Sequence, residues 1–254
     1  MAIDRRYMIL NGELLAWQHL DGAYIYQNIH TLDYAPRHVK RHAEMLRTLS
    51  QELFGVECSL SAEGLESQIR QLLEHVRPSR QRSIRVVAKQ YSSGDYSIEC
   101  DEPSLYRGYS LRSLRPEAAT LRVAMPLDIY PTSAAIATRC VADSIARSRD
   151  FHQAILLGED REILSEASAP IALVRGRTLT IAPAPYSVER EIVEQAAARA
   201  NIAVERKAFT HEEMMLADEV IVISWQGITA MQSVDNKTFM SIIAEHLARE
   251  MEKL

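Results

Sequence analysis

The stretch ILLGEDREILSEASAPIALVRG, Ile155 to Gly176, decides how the chain is read. It reads as two apolar strands joined by a polar turn, with the carboxylate of Glu166 where the second strand begins. A carboxylate at the edge of an apolar run is costly to desolvate, so Glu166 must face a partner. Outward from this stretch the elements alternate. The Ala-rich helix TSAAIATRCVADSIARSRDF leads into the strand QAILL, and GRTLTIAP is a short strand ending at Pro183 and Pro185. VEREIVEQAAARANI then reads as a helix, IAVERKAF as a strand, THEEMMLA as a capped helix, DEVIVISW as a buried strand and SIIAEHLAREMEKL as an amphipathic helix.

The first hundred residues have a different rhythm. YMILNGELLAW is a hairpin turning at Asn11-Gly12, because both turn positions need a positive φ that Asn and Gly tolerate. GAYIYQNIHTLDY is strand-like, HVKRHAEMLRTLSQELFG is a helix closed by Gly55, and SAEGLESQIRQLLEHV is a helix capped by Ser61. RSIRVVAKQY and DYSIEC supply two further strands across the turn SSG. The segment around Pro116 reads as the crossing between two lobes, a small α+β lobe over 1–115 and a larger one over 116–254, with a cleft between them.

Composition narrows the classes of function. The 254 residues are 47% hydrophobic and 25% charged, as in ordinary soluble proteins, and a net charge of -5 speaks against nucleic-acid binding. Three widely spaced cysteines, Cys58, Cys100 and Cys140, suggest neither a disulfide framework nor a zinc site. A reduced, cytoplasmic setting is the expectation, since MAIDRRYMIL has no secretory apolar run and no stretch approaches a membrane span.

Several motifs occur in order: LNGELL, an H-x-x-x-L pattern at His42 and Leu46, EILSEAS at Glu162 to Ser168, the helix after PYSVEREIV, ADEVIVIS at Ala217 to Ser224, and GITAMQSVDNKTF at Gly227 to Phe239. Together they resemble the fold-type IV pyridoxal-phosphate (PLP) proteins, which comprise branched-chain aminotransferases, D-amino-acid aminotransferases and aminodeoxychorismate lyases. The GI...SVD-x-K-TF run is most similar to the lyase branch. The resemblance implies a two-lobed, D-amino-acid aminotransferase-like fold, a homodimer, and a cofactor held between the lobes. It also implies a lysine that forms the Schiff base, a glutamate that pairs with the pyridine nitrogen, and an arginine with helix-start amides that hold the phosphate. Glu166 falls on the glutamate position, where a pyridinium would satisfy its charge.

Other positions depart from the pattern. The lysine position falls on Thr132 or a close neighbour, whereas the five lysines are at 40, 89, 207, 237 and 253. Threonine, serine and arginine cannot supply the primary amine of an imine. Met45 stands in place of the phosphate arginine, and Ser187-Val188-Glu189-Arg190 stands in place of the family's G-I-T-R helix start, so a glutamate replaces a phosphate donor. Bulky Trp225 and Gln226 replace small residues, and Pro170-Ile171 follows the glutamate strand. The expectation is a divergent aminotransferase- or lyase-like protein that has lost conventional PLP catalysis, holds no cofactor in the family manner, and uses its cleft for another small ligand. The alternative is an active PLP-dependent aminotransferase or lyase with unconventional anchoring. Whether the chain is an enzyme stays open.

Glu166 and Lys89 are the catalytic candidates, because the RVVAKQY strand lines the substrate side of the pocket in the resembled family. Glu166, Ser187 and Val188 are the cofactor-site candidates. Tyr24, Tyr26 and His30 alternate along one strand and share a face, which suits a substrate ring or carboxylate, and Trp225, near Gly227, is the fourth substrate-site candidate, placed to fill the volume vacated by the cofactor. His38 and His42 have a spacing that can bind metal, but no third ligand accompanies them, so RHVKRH reads as a polar surface stripe and no metal is expected. Asp218 and Glu219 read as structural caps.

Overall fold

A computed structural model describes residues 6–109, 115–124, 130–165, 169–183 and 186–254. Glu166 lies outside the described residues. The chain divides into two compact units, Met1–Gly108 and Tyr109–Leu254.

In the first unit, β1 (Tyr7–Leu10), β2 (Glu13–Ala16), β3 (Tyr24–Leu32) and β4 (Ala35–Pro36) precede two helices, α1 (Val39–Phe54) and α2 (Ala62–Val76). The strands β5 (Ile84–Tyr91) and β6 (Tyr96–Pro103) complete a six-stranded sheet of order β2-β1-β6-β5-β3-β4. Asn11 (φ 49°) and Gly12 (φ 91°) make the β1–β2 turn, and the Asn11 side chain ties it to β6 by accepting from Tyr96 N at 2.9 Å. Ser61 accepts from Gly64 N at 3.0 Å, capping α2, and Gly55 (φ 65°) closes α1.

Strand pleating gives this sheet two unlike faces. Ile25, Ile29, Val86, Ala88, Ile98 and Ile9 share one face by register, and they are buried, with α1 and α2 packed against it. The opposite face carries Tyr24, Tyr26, His30, Lys89, Tyr91 and Glu99. The apolar face fixes the register, since a slip of one residue would turn these polar groups toward the helices.

The second unit has β7 (Glu117–Arg122), α3 (Ser133–Arg147), β8 (Gln153–Leu157), β9 (Ile163–Ser165), β10 (Ile171–Arg175), β11 (Thr178–Ile181) and α4 (Val188–Arg199). It continues with β12 (Ala203–Arg206), α5 (His211–Met215), β13 (Glu219–Ser224), β14 (Gly227–Ala230), β15 (Ser233–Val234), β16 (Lys237–Thr238) and α6 (Ile242–Met251). Two five-stranded sheets result, of order β12-β11-β10-β13-β14 and β16-β15-β7-β8-β9. Ile155, Leu157 and Ile163 from one sheet and Ile171, Leu173, Val220 and Val222 from the other join a single core between them. The other face of the β7–β8 sheet packs on α3 through Ala142, Ala146, Leu121 and Leu156.

Ile155 to Gly176 therefore holds three strands, which corrects the two-strand reading. β8 turns back on β9 within one sheet, whereas β10 pairs with β11 and β13 in the other. Periodicity could not show this, because β9 and β10 read as one apolar run although their hydrogen bonds go to different sheets.

Candidate functional site

In the first unit, the polar sheet face gathers the strand candidates. Tyr26 stands directly opposite Lys89, and Tyr24 opposite Tyr91. Lys89 Nζ donates to Glu99 Oε1 at 2.7 Å and lies 5.2 Å from the centre of the Tyr24 ring. Glu99 also accepts from the Ser97 hydroxyl at 3.2 Å. The Tyr24 and Tyr91 ring centres are 5.2 Å apart, and burial pushes the Tyr91 phenol up, against a hydrogen bond with Ser97. A second charge pair, Arg85 with Asp101, follows on the same strands. Tyr26, His30 and Tyr91 are buried, so this face is a desolvated polar surface of aromatic rings and paired charges. Glu99 was not a sequence candidate. Its distance of ten residues from Lys89 becomes a contact only through the β5–β6 register, in which Val87 stands opposite Glu99.

In the second unit, two helix starts come together. Thr132 is the N-cap of α3, and its hydroxyl accepts from Ala135 N at 3.3 Å. Ser187 is the N-cap of α4, with Val188 buried as its first residue. Tyr130, just before α3, and Tyr186, just before α4, stack with ring centres 5.7 Å apart. At the start of α4 the Ser187 oxygen accepts from Arg190 N at 3.4 Å, and the Ser187 hydroxyl donates to Glu189 Oε2 at 2.9 Å. Glu189 is 6% exposed, and its carboxylate accepts from its own backbone N–H. Burial raises its pKa to about 7, against both of these hydrogen bonds.

Trp225 is buried, and Gly227 (φ 100°) follows two residues on. A Cβ on Gly227 would meet Tyr109 at 3.0 Å, so this turn has room only for glycine. Of the two residues read as caps, Glu219 accepts from Ile243 N at 2.7 Å and Ala244 N at 2.9 Å, starting α6. Asp218 accepts from Gly176 N at 2.7 Å.

The histidine stripe is corrected. His42 is 2% exposed, with Nδ1 at 2.9 Å from Gln27 Oε1, and burial, then the charges of His38 and His30, lower its pKa to about 3. His38 precedes α1 in a left-handed conformation (φ 54°), so the two are not successive turns of one exposed helix face. A polar residue at a core-facing position looks like surface in a sequence until its buried partner, here Gln27, is known. Among the described residues no cluster of three His, Cys, Asp or Glu could hold a metal ion, and no helix is long and apolar enough to cross a membrane.

The mixed fold with these helix starts is that of a class of enzymes, and the chain belongs to it: it is a member of the amino-transferase class IV family, whose model matches residues 25–234. Among solved structures it is similar to the branched-chain aminotransferase of Thermoproteus uzoniensis, at 19% identity and a TM-score of 0.79, covering 97% of this chain and 93% of that one. It is similar also to an aminotransferase of Brucella abortus bound to PLP, at 13% identity and a TM-score of 0.79, covering 96% of each chain. A Legionella pneumophila protein named provisionally as a 4-amino-4-deoxychorismate lyase matches at 15% identity and a TM-score of 0.76 over 91% of each chain. No curated protein matches the sequence. The likenesses show the class IV fold, and the family with its PLP-bound neighbour points to PLP as the cofactor of that fold.

Proposed function

We propose that this chain is a class IV amino-transferase family member that does not hold PLP as an imine and gives its site to another small ligand or reaction. The observation that carries this reading is the placement of its lysines. Lys40 is exposed on α1, and Lys89 is bound to Glu99. Lys207 lies 3.5 Å from Glu213, Lys237 donates to the carbonyls of Met215 and Ala217, and Lys253 is paired with Glu250. The start of α3 offers a threonine hydroxyl already used as a cap. The phosphate end fits no better, since two amides and the Ser187 hydroxyl at the start of α4 are engaged by Glu189 and Ser187. The residues present therefore do not fit the cofactor as the family holds it.

What this chain can do with its own groups is bind and orient. The ring pair Tyr24–Tyr91, Tyr26 opposite Lys89, and the Lys89–Glu99 pair support recognition of a ring or a carboxylate on a small molecule. Glu166, on the glutamate position in the sequence, is proposed separately as a ligand-binding residue. A homodimer in a reducing, cytoplasmic setting is part of the same proposal. Light scattering of the purified protein tests the dimer.

The second reading is a working PLP-dependent aminotransferase or lyase in which Lys89 supplies the amine, and the partial burial of Lys89 beside Tyr24 favours it. The absorption spectrum separates the two. Protein that stays colourless in excess PLP supports the first reading, and an imine band saturating at one cofactor per chain overturns it.

A further inference from the structure

The start of α4 is a position where a helix presents free N–H groups and the positive end of its dipole, an arrangement that binds anions. In this chain two of those donors are taken by the protein itself. Arg190 N donates to the Ser187 oxygen, the Glu189 N–H donates to the Glu189 carboxylate, and the Ser187 hydroxyl donates to Glu189 Oε2. The Glu189 side chain thus folds back over the first turn instead of pointing along it. It is buried, so it is not a surface carboxylate that happens to lie near a helix. Arg190, the next residue, donates Nη1 to the Pro183 carbonyl. The Tyr130–Tyr186 stack places this helix start beside that of α3.

We infer that the Glu189 carboxylate is a built-in anion standing where a ligand phosphate would otherwise bind, and that it makes this site select phosphate-free ligands over their phosphorylated counterparts. The inference deepens the proposed function and rests on the start of α4 still facing the ligand. Two physical effects act together. The carboxylate fills the space over the helix start, and it uses the donors that would have compensated the desolvation of an incoming phosphate.

Pyridoxamine and pyridoxamine 5′-phosphate are the probes, because they differ only in the phosphate and neither carries the aldehyde needed for an imine with a lysine. Calorimetric titration of the full chain at pH 8 compares wild type with Glu189→Thr and with the isosteric Glu189→Gln, each checked for folding by circular dichroism. Wild type is expected to bind pyridoxamine about tenfold more tightly than pyridoxamine 5′-phosphate. At least one folded variant is expected to prefer the phosphorylated probe by about tenfold or more, the effect of returning charge-assisted donors to an anion. Equal binding of the two probes by wild type, a preference for the phosphorylated one, or binding of neither overturns the inference, and so does the absence of any relative gain for the phosphorylated probe in both folded variants. An imine trapped on a lysine would overturn the proposed function while leaving this comparison intact, so the two failures are distinguishable.

Discussion

The hydroxyl of Ser187 donates to Oε2 of Glu189 across 2.9 Å while its oxygen accepts from Arg190 N, so one serine both caps α4 and holds a buried carboxylate over the helix start. The arrangement has a pH signature. With its folded-state pKa raised from 4.5 to about 7, Glu189 binds its proton more tightly in the folded than in the unfolded chain. Its contribution to stability is therefore fully present below about pH 4.5 and is lost as pH rises toward 7. Glu189→Gln should be more stable than wild type at pH 8, by on the order of 3 kcal/mol, and the difference should vanish near pH 4.5. Urea unfolding of both proteins across that range measures it, and a pH-independent difference would show that the carboxylate is not buried as described.

The buried histidine of the first unit gives a slope of the opposite sign. The pKa of His42 is lowered from 6.5 to about 3, so its neutral form contributes stability above pH 6.5 that is lost as pH falls. By pH 4 the loss is about 3 kcal/mol. His42→Gln should flatten this acid limb in urea melts between pH 6.5 and 4. An acid limb as steep as that of wild type would place the titrating group elsewhere.

Lys89 and Glu99 form a pair with side-chain exposures of only 17% and 18%. Removing one partner leaves a poorly solvated charge, so Lys89→Met should destabilise by about 1–3 kcal/mol. Lys89→Met combined with Glu99→Gln should recover part of that loss. A double-mutant cycle by chemical denaturation reads the coupling, expected at about 1 kcal/mol or more. A coupling near zero would mean that Lys89 is free for another role.

Thr132 caps the start of α3 with its side chain. Thr132→Ala should cost about 1 kcal/mol of stability, and Thr132→Ser should restore most of it. Equal stability of all three proteins in thermal melts would remove the capping role.

Local signals in the sequence carried much of the fold. Asn11-Gly12, Ser61, Gly55 and Thr210 each act through their nearest neighbours, and each turn or cap forms where those residues stand. The family, too, was legible from the order of the motifs and is borne out by the matching model. What needed three dimensions was pairing. Ile171 and Ile163 look alike in an apolar run yet belong to different sheets. His42 looked like surface until Gln27 was found beneath it, and Lys89 looked like one free amine until the register brought up Glu99. Glu189 was legible as a substitution at a helix start, but its folding back onto that start was not, because this depends on burial by residues distant in sequence.

The central claim is that no lysine of this chain forms an imine with PLP. The most direct measurement is borohydride reduction of the wild-type protein in excess PLP, followed by peptide mass mapping of all five lysines. The expected result is only scattered, substoichiometric labelling, the same on the native and the unfolded chain. Stoichiometric labelling of one lysine in the native protein alone, at Lys89 above all, would contradict the account.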